Sequence, residues 1–212
     1  MDENGRGAHV SSVERRRGAS ARDRILDASA ELFGRYGVQA VGIDGIIDQA
    51  EVAKATLYKQ FRSKDDLILA WLRGADARWL DWFTEEVERR TDVPLERLTV
   101  VFDVLQEWFE RDDFHGCAFQ NCAAEVRVSD GPIRTEIRSY VQEVEDWLRR
   151  LIEAAQIPHA DELAEQLRLL VAGSIWIAFI TGSSSPAAPA RAAAMALLGS
   201  TQDSGEAATK AT

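Results

Sequence analysis

Apolar residues recur at helical spacing along most of this chain, and runs that alternate Val, Ile or Thr with polar residues are scarce. In the first such segment, Ile25, Leu32 and Phe33 fall on one face of a helix. The chain is also rich in Ala, Leu, Glu and Arg, which favour helices. The sequence therefore predicts an all-α fold.

Capping residues mark the predicted helix ends in the first third of the chain. Ser20 and Asp23 have the spacing of a capping box, and Gly37 is expected to end the first helix in a left-handed conformation. Ser63 and Asp66 form a second capping box. The helices expected after the first span residues 43–50, 54–61 and 63–89.

The remainder of the chain reads as a series of longer amphipathic helices. Pro94 and Pro132 are expected near the starts of two of them, Asp161 is expected to cap another that ends near Thr181, and a shorter helix is expected at 118–126. The last predicted helix spans 190–198. We expect a disordered basic arm at 1–19, domains at 20–66 and 67–199, and a disordered tail at 200–212.

The charge of the chain is unevenly distributed. The formal net charge is −10, yet residues 1–66 hold 11 basic and 11 acidic residues, and the remainder holds 14 and 24. A neutral first part with clustered cations can approach a polyanion, whereas the acidic remainder would be held away from it.

Four of the 11 cations of the first part, Lys54, Lys59, Arg62 and Lys64, lie within residues 52–67, which read V-A-K-A-T-L-Y-K-Q-F-R-S-K-D-D-L. Two short helices joined by a three-residue turn, with a helix before them, make a helix-turn-helix, whose second helix enters the DNA major groove. Lys54, Lys59 and Lys64 can neutralise phosphates. The hydroxyls of Thr56 and Tyr58 and the amide of Gln60 can reach phosphates or base edges; Leu57 and Phe61 are expected to face inward.

These residues resemble the tetracycline-repressor-like (TetR) family of bacterial regulators. The resemblance covers residues 25–67, including A-E-L-F-G-R-Y-G, I-D-x-I-I and the T-L-Y segment followed by aromatic-x-S-K. It implies a homodimer with an N-terminal DNA-binding domain and a larger C-terminal domain that binds a small molecule and dimerises. Gly42 stands where the family usually has Ser or Thr, and Gln60 replaces a more common His or Tyr. The DNA-contacting positions that the resemblance implies are Arg22, Gly42, Ile43, Asp44, Lys54, Ala55, Thr56, Tyr58, Lys59, Gln60 and Lys64.

The second part of the chain carries a segment, F-H-G-C-A-F-Q-N-C-A-A-E, that resembles a G-C-x-F-x-N-x-x-x-E element of one subgroup of these regulators. Asn121 and Glu125 share a helical face, where they either form an internal hydrogen bond or helix cap or orient an effector as polar groups of a pocket. Six tryptophans either fill the core or indicate an apolar or aromatic effector. The predicted pocket residues are Trp79, Phe83, Phe102, Trp108, Phe119, Asn121, Cys122, Glu125, Tyr140, Trp147 and Trp176.

Cys117 and Cys122, with His115, fall short of a closed zinc set, and five residues apart the thiols do not face each other well. Buried packing is the favoured interpretation, although a sensing role stays open. We expect no metal and no cofactor.

The sequence predicts a DNA-binding transcriptional regulator that is not an enzyme, because nucleophile–base, phosphate-loop and zinc-protease patterns are lacking. A repressor released from operator DNA by a small, largely apolar effector is the leading interpretation. The alternatives are a regulator without an effector, an activator and, more distantly, a helical enzyme. The homodimer is expected to form through the last two helices, which are rich in Ala and Gly. No apolar run is long enough to span a membrane and the N-terminus lacks a signal core, so we expect a cytoplasmic protein.

Overall fold

The computed structural model describes residues 20–126 and 131–209, and the regular structure in those ranges is entirely helical. The predicted all-α fold is therefore confirmed. The predicted basic arm at 1–19 lies outside the described residues, as do 210–212. Contacts divide the chain into two compact units, one up to Trp71 and one from Leu72. The helices are α1 (Ala21–Tyr36), α2 (Ile43–Ala50), α3 (Lys54–Gln60), α4 (Lys64–Arg90), α5 (Pro94–Phe109), α6 (Ala118–Glu125), α7 (Pro132–Ala154), α8 (Ala160–Thr181) and α9 (Ala187–Thr209).

The first unit is a small helical domain built on α1. The apolar face of α1 packs against α2 and α3, which form the helix-turn-helix. Phe33 meets Trp71, at the start of α4, edge to face at 5.3 Å between ring centroids. Two polar contacts fix the packing: Arg24 Nη1 donates to the carbonyl of Glu51 at 3.2 Å, and Gln49 Nε2 donates to Glu31 at 2.9 Å. The first contact holds the turn before α3 against α1, and the second holds the end of α2 against α1.

The capping box at the start of α1 forms as predicted. The side chain of Ser20 accepts from the backbone N–H of Asp23, whose carboxylate accepts from the N–H of Ser20. At the other end, Gly37 has a positive φ of 83° but an extended ψ of 159°, so the predicted left-handed cap is wrong. Only Gly adopts this combination readily. A left-handed cap does occur at the end of the next helix, α2, where Glu51 adopts it.

Two helix starts in the second unit differ from expectation. Asp161 lies inside the first turn of α8, and the capping residue is His159, which has left-handed backbone angles. Asp161 binds Arg149 of α7 at 2.7 Å, so its carboxylate serves an ion pair instead of a cap. The last helix, α9, begins at Ala187 and continues to Thr209, beyond both ends of the predicted 190–198. The predicted domain limits stay predictions, since α4 is continuous across the proposed boundary at 66.

The second unit is a bundle with its core between α5, α7, α8 and α9. The α5 residues Leu98, Phe102 and Leu105 are fully buried, as is Leu148 on α7. Arg90 at the end of α4 bridges Glu86 at 2.8 Å and Glu107 of α5. Hydrogen bonds from Arg89 and Arg90 lower the pKa of Glu86 to about 2, so its carboxylate stays ionised near neutral pH.

Contrary to the expectation from the sequence, helix α8 has the length and composition that would allow it to cross a membrane. Core helices of globular proteins satisfy the same criterion, and α8 packs against α7 and α9 and buries Leu163, Leu167 and Ile175. Burial in the bundle core therefore explains the apolar residues on one side of α8.

Candidate nucleic-acid interface and ligand cavity

The short helix α3 separates a buried face from an exposed polar face. Leu57 is completely buried and Phe61, directly after the helix, is 3% exposed, which confirms their predicted inward orientation. Tyr58 is 47% exposed although it is a large aromatic residue. Lys59 and Gln60 are also exposed. The helix thus presents a phenol, an ammonium and an amide on its free surface, groups that hydrogen-bond to phosphates and base edges.

Lys54 and Asp44 form an ion pair across the helix-turn-helix. The Nζ atom of Lys54 lies 3.0 Å from Oδ1 of Asp44, and both side chains are largely exposed. The hydrogen bond to Asp44, and then its charge, raise the pKa of Lys54. Lys54 is therefore protonated at neutral pH, but its charge is partly offset by the neighbouring carboxylate.

The remaining predicted DNA-contacting residues surround α3 in the first unit. The guanidinium of Arg22 lies 4.6 Å from the centroid of the Phe61 ring. Gly42 precedes α2 without a side-chain cap, and a Cβ atom there would meet nothing within 4 Å. Of the eleven predicted residues, the exposed ones are Arg22, Gly42, Asp44, Lys54, Ala55, Tyr58, Lys59 and Gln60, and the half-buried ones are Ile43, Thr56 and Lys64.

The second unit contains a cavity of about 150 Å³. Three of the predicted pocket residues, Trp79, Phe119 and Tyr140, lie in its wall. Phe119 and Tyr140 stack face to face with centroids 3.9 Å apart. The lining residues are Trp79, Cys117, Phe119, Gln120, Ala123, Ile137, Tyr140, Val141, Val144, Arg168, Val171, Ala172 and Ile175.

The other aromatic pocket candidates lie outside this wall. Phe83 is buried behind Trp79, with the two rings stacked at 4.7 Å, and Trp147 meets Phe83 edge to face. Trp108 packs against Phe114 and Trp79. Phe102 is buried in the bundle core, whereas Trp176 is 39% exposed. These rings support the cavity or fill the core without lining it.

The polar pair of the predicted pocket, Asn121 and Glu125, also lies outside the wall. The Nδ2 atom of Asn121 donates to the carbonyl of His115 at 2.8 Å, which corresponds to the internal hydrogen bond considered from the sequence. Cys122 is buried beside them on α6, outside the cavity lining. Gln120, next to Asn121, turns into the cavity instead.

Gln120 and Arg168 are the polar lining residues that sequence reasoning missed. Both are polar residues on amphipathic helices, where a solvent-facing position is the usual expectation. Gln120 does precede Asn121 by one position, so a helix rotation of about 100° separates the two side chains. A difference of one position on α6 thus decides which of them faces the cavity.

Both cysteines are buried, and the Sγ atom of Cys117 lies 3.8 Å from the Tyr140 hydroxyl oxygen. Within residues 20–126 and 131–209, His, Cys, Asp and Glu side chains form no group of three that could hold a metal ion. Cys117 thus lies in the cavity wall and Cys122 lies outside it, and both are buried as the favoured interpretation expected.

Comparison with known proteins relates both units to one family. Residues 25–71 match the family model described as "Bacterial regulatory proteins, tetR family", and residues 94–194 match "Tetracyclin repressor-like, C-terminal domain". Together these matches cover more than half of the chain. The chain belongs to the TetR family. The family match to the first unit includes α3. The exposed polar face of α3 in this TetR-family protein therefore lies on the DNA-binding motif of the family.

Individual relatives agree with this assignment. The chain is 32% identical over 117 residues to the HTH-type transcriptional repressor KstR2 of Mycolicibacterium smegmatis, covering 54% of each protein. It is 28% identical over 131 residues to the transcriptional regulator AcuR of Cereibacter sphaeroides, covering 61% of this chain and 58% of AcuR. The aligned region thus spans little more than half the length of these curated relatives.

The fold has a solved counterpart over most of its length. SCO4454, a TetR-family transcriptional regulator from Streptomyces coelicolor, superimposes with a TM-score of 0.78 at 26% identity. The match covers 85% of this chain and 95% of SCO4454. The arrangement of an N-terminal helix-turn-helix unit and a C-terminal helical unit is therefore that of the TetR fold.

Proposed function

We propose that this TetR-family protein is a transcriptional repressor that binds operator DNA as a homodimer and is released by a small molecule. It acts by binding and not by catalysis. The observation that carries the proposal is the exposed surface of α3, where Tyr58 is 47% exposed beside Lys59 and Gln60 while Leu57 anchors the opposite face. A phenol ring that stays about half exposed in its own chain fits a partner surface.

The first experiment tests the role of α3 in DNA binding. Operator fragments are first selected from genomic DNA with the purified protein, and affinities are then measured at fixed salt. Tyr58→Ala is expected to weaken binding by about 10-fold or more, because each copy of a dimer loses a phosphate or base contact. Tyr36→Ala is the matched control, since Tyr36 is 55% exposed on α1 of the same unit and is not among the predicted contacts. Equal affinities for wild type and Tyr58→Ala would contradict the proposal.

The homodimer is proposed to form through α8 and α9. Leu169, Ile177 and Ile180 are each about half exposed and follow one stripe of α8, and Met195 on α9 is 49% exposed. Apolar area of this kind on a helix pair is typical of a self-complementary interface. A homodimer would also supply the two recognition helices that the half-sites of a pseudo-palindromic operator require.

Light scattering of the full-length protein tests this interface. Ile180→Glu is expected to convert the dimer to a monomer, because each copy would bury a carboxylate without a partner in the proposed interface. Leu95→Glu is the matched control, since Leu95 is an exposed apolar residue on α5. If both variants stay dimeric, the interface lies elsewhere.

The cavity of the second unit is proposed to hold the effector. Ligand binding would favour a conformation in which the two copies of α3 are wrongly spaced for successive major grooves. Helix α4, which continues from the first unit into the second, is the proposed coupling element. Titrating ligands against operator-bound protein tests the response: release supports a repressor with an effector, whereas tighter binding or no response across a broad panel supports the activator or the effector-independent regulator.

A further inference from the structure

The surface of the cavity in the second unit is almost entirely apolar. Ile137, Val144 and Ile175 contribute aliphatic groups, and Phe119 contributes an aromatic ring. The lining residues that carry polar side-chain atoms are Trp79, Cys117, Gln120, Tyr140 and Arg168. Whether those atoms can reach a ligand decides which class of molecule the cavity can bind.

The polar atoms of Trp79 and Gln120 are withheld from a molecule inside the cavity. The indole Nε1 of Trp79 and the amide Oε1 of Gln120 have almost no accessible surface, so a ligand atom cannot approach either at hydrogen-bond distance. The Nε2 atom of Gln120 already donates to the carbonyl oxygen of Ala172 at 3.0 Å. What these two side chains present to a ligand is therefore mainly carbon.

The other polar groups of the wall are engaged with their neighbours. The Sγ atom of Cys117 lies 3.8 Å from the hydroxyl oxygen of Tyr140, and both residues are buried. The Nε atom of Arg168 donates to Glu145 at 2.8 Å, and that carboxylate offsets the charge of the guanidinium. A ligand with a polar group would have to break one of these contacts or leave its own group unpaired.

An unpaired polar group lowers affinity in such surroundings. A hydroxyl that enters an apolar site without a partner loses its hydration, which corresponds to about a 10-fold or larger loss of affinity. A carboxylate loses more, because the charged form is the more strongly hydrated. A hydrocarbon has no such penalty, since its transfer from water into apolar surroundings is favourable.

The volume of the cavity limits the size of the ligand. At about 150 Å³, it matches the engineered apolar cavity, lined by Leu, Ile and Phe, that binds benzene. Val141, which is 38% exposed, places one edge of the wall at the protein surface. The space therefore suits a single six-membered ring with at most a short alkyl substituent.

We infer that the cavity binds an uncharged hydrocarbon of about one six-membered ring, held by shape and apolar contact without a hydrogen bond. That this ligand acts as the effector rests on the proposed function, whereas its chemical class rests on the cavity alone. Selectivity then comes from exclusion, because polar and charged molecules of the same size lose hydration that the wall does not replace.

Isothermal titration of the DNA-free, full-length protein with benzene, phenol and benzoate tests this ligand class. These probes share one ring and differ in the polar group that they carry. Benzene is expected to bind about 10-fold tighter than phenol, and benzoate is expected to bind more weakly than phenol. Phenol or benzoate binding as tightly as benzene, or no binding of benzene at millimolar concentration, would each overturn the inference.

Two neighbouring alanines on α6 locate the bound ring. Ala123 lines the cavity, whereas Ala124 is exposed and lies outside the lining. Ala123→Leu is expected to lower the affinity for benzene by about 10-fold or more, because the added carbons occupy the space that the ring needs. Ala124→Leu is the matched control and should leave that affinity unchanged.

Equal affinities of the two leucine variants for benzene would place the ring outside this cavity and overturn the inference. Circular dichroism checks that both variants fold. If Ala123→Leu does not fold, the comparison of benzene with phenol on the wild type still decides.

A separate measurement keeps this inference distinct from the proposed function. Benzene is also titrated against the operator complex. Binding to the free protein without release from DNA would support the ligand class and contradict the effector role. Release by a polar or charged ligand, with no binding of benzene, would support the regulator and overturn the ligand class.

Discussion

Lys54 and Asp44 stand at the starts of α3 and α2 and pair at 3.0 Å on an exposed surface. An exposed ion pair contributes little to folding because water screens both charges. Its consequence lies in binding, since Asp44 places a negative charge beside an ammonium that a phosphate would otherwise attract. In the proposed operator complex, the pair would therefore lower the electrostatic attraction of α3 for DNA.

Asp44→Asn is accordingly expected to strengthen operator binding by about 5-fold at low salt, because it frees the Lys54 ammonium and removes one repulsive charge per copy. Fluorescence anisotropy with a labelled operator measures the change. Asp48→Asn is the matched control, an exposed aspartate on the same helix. If Asp44→Asn and Asp48→Asn strengthen operator binding equally, the effect comes from the overall charge and not from the ion pair.

The burial or exposure of an individual side chain could be predicted from the sequence where its residue type suits only one face of the helix. The apolar Leu57 and Phe61 are buried and Tyr58 is exposed, as the spacing along α3 predicted. The orientations of Asn121 and Gln120 could not be predicted from the sequence, because both are polar amides on one turn of α6. Which of them faces the cavity depends on the packing of α6 against α7 and on partners such as the Ala172 carbonyl, which are distant in sequence.

At the scale of the helix, Gly45 weakens α2. It is exposed inside the helix, and an added Cβ would meet nothing within 4 Å. Gly45→Ala is expected to raise the free energy of unfolding by about 0.5–1 kcal/mol, because Ala has less freedom to lose on folding. Urea denaturation measures the gain. The same substitution at the N-cap, Gly42→Ala, should instead lower stability, since Ala is a poor N-cap residue. A lower free energy of unfolding for Gly45→Ala would show that this position needs the backbone freedom of Gly, and that helix propensity does not decide the outcome.

The turn before α6 depends on a different glycine. Gly116 has a φ of 77°, and a Cβ there would lie 2.9 Å from Cγ of Phe179. Gly116→Ala is expected to destabilise the protein by roughly 1–3 kcal/mol, through left-handed strain and displacement of Phe179. Gly182→Ala is the control, because it has a φ of 62° but no neighbour within 4 Å and so carries the strain alone. Equal decreases in the melting temperature for Gly116→Ala and Gly182→Ala would mean that the displacement of Phe179 does not destabilise the protein.

Helix bodies were easier to predict than helix ends. Residues 43–50 form α2 as expected because a short apolar pattern is bounded by Gly42 and by the turn at Glu51. The end at Gly37 and the start at His159 depend on backbone angles that the residue pattern did not predict. The Asp161 carboxylate illustrates this, because Arg149 of another helix takes the oxygen that a cap would use.

At the scale of the whole molecule, the charge distribution opposes DNA binding except where cations are concentrated. The chain carries −10 overall, whereas residues 1–66 are balanced. The predicted contact set includes four cationic residues per copy, Arg22, Lys54, Lys59 and Lys64. A dimer would therefore present eight of them to the phosphates, and binding should depend steeply on salt because neutralised phosphates release their counterions.

We expect the logarithm of the operator association constant to fall against the logarithm of salt concentration with a slope of about −7, from about −0.9 for each of the eight contacts. Lys59→Ala removes one contact per copy and should make the slope shallower by about 2 units. Arg150→Ala is the control, because Arg150 is an exposed cation on α7 of the second unit and changes the net charge equally. Anisotropy titrations between 50 and 200 mM salt (roughly the range over which such contacts lose affinity) measure both slopes. A slope near zero would contradict the phosphate contacts, and an equal change for Arg150→Ala would mean that net charge, not the surface of α3, governs binding.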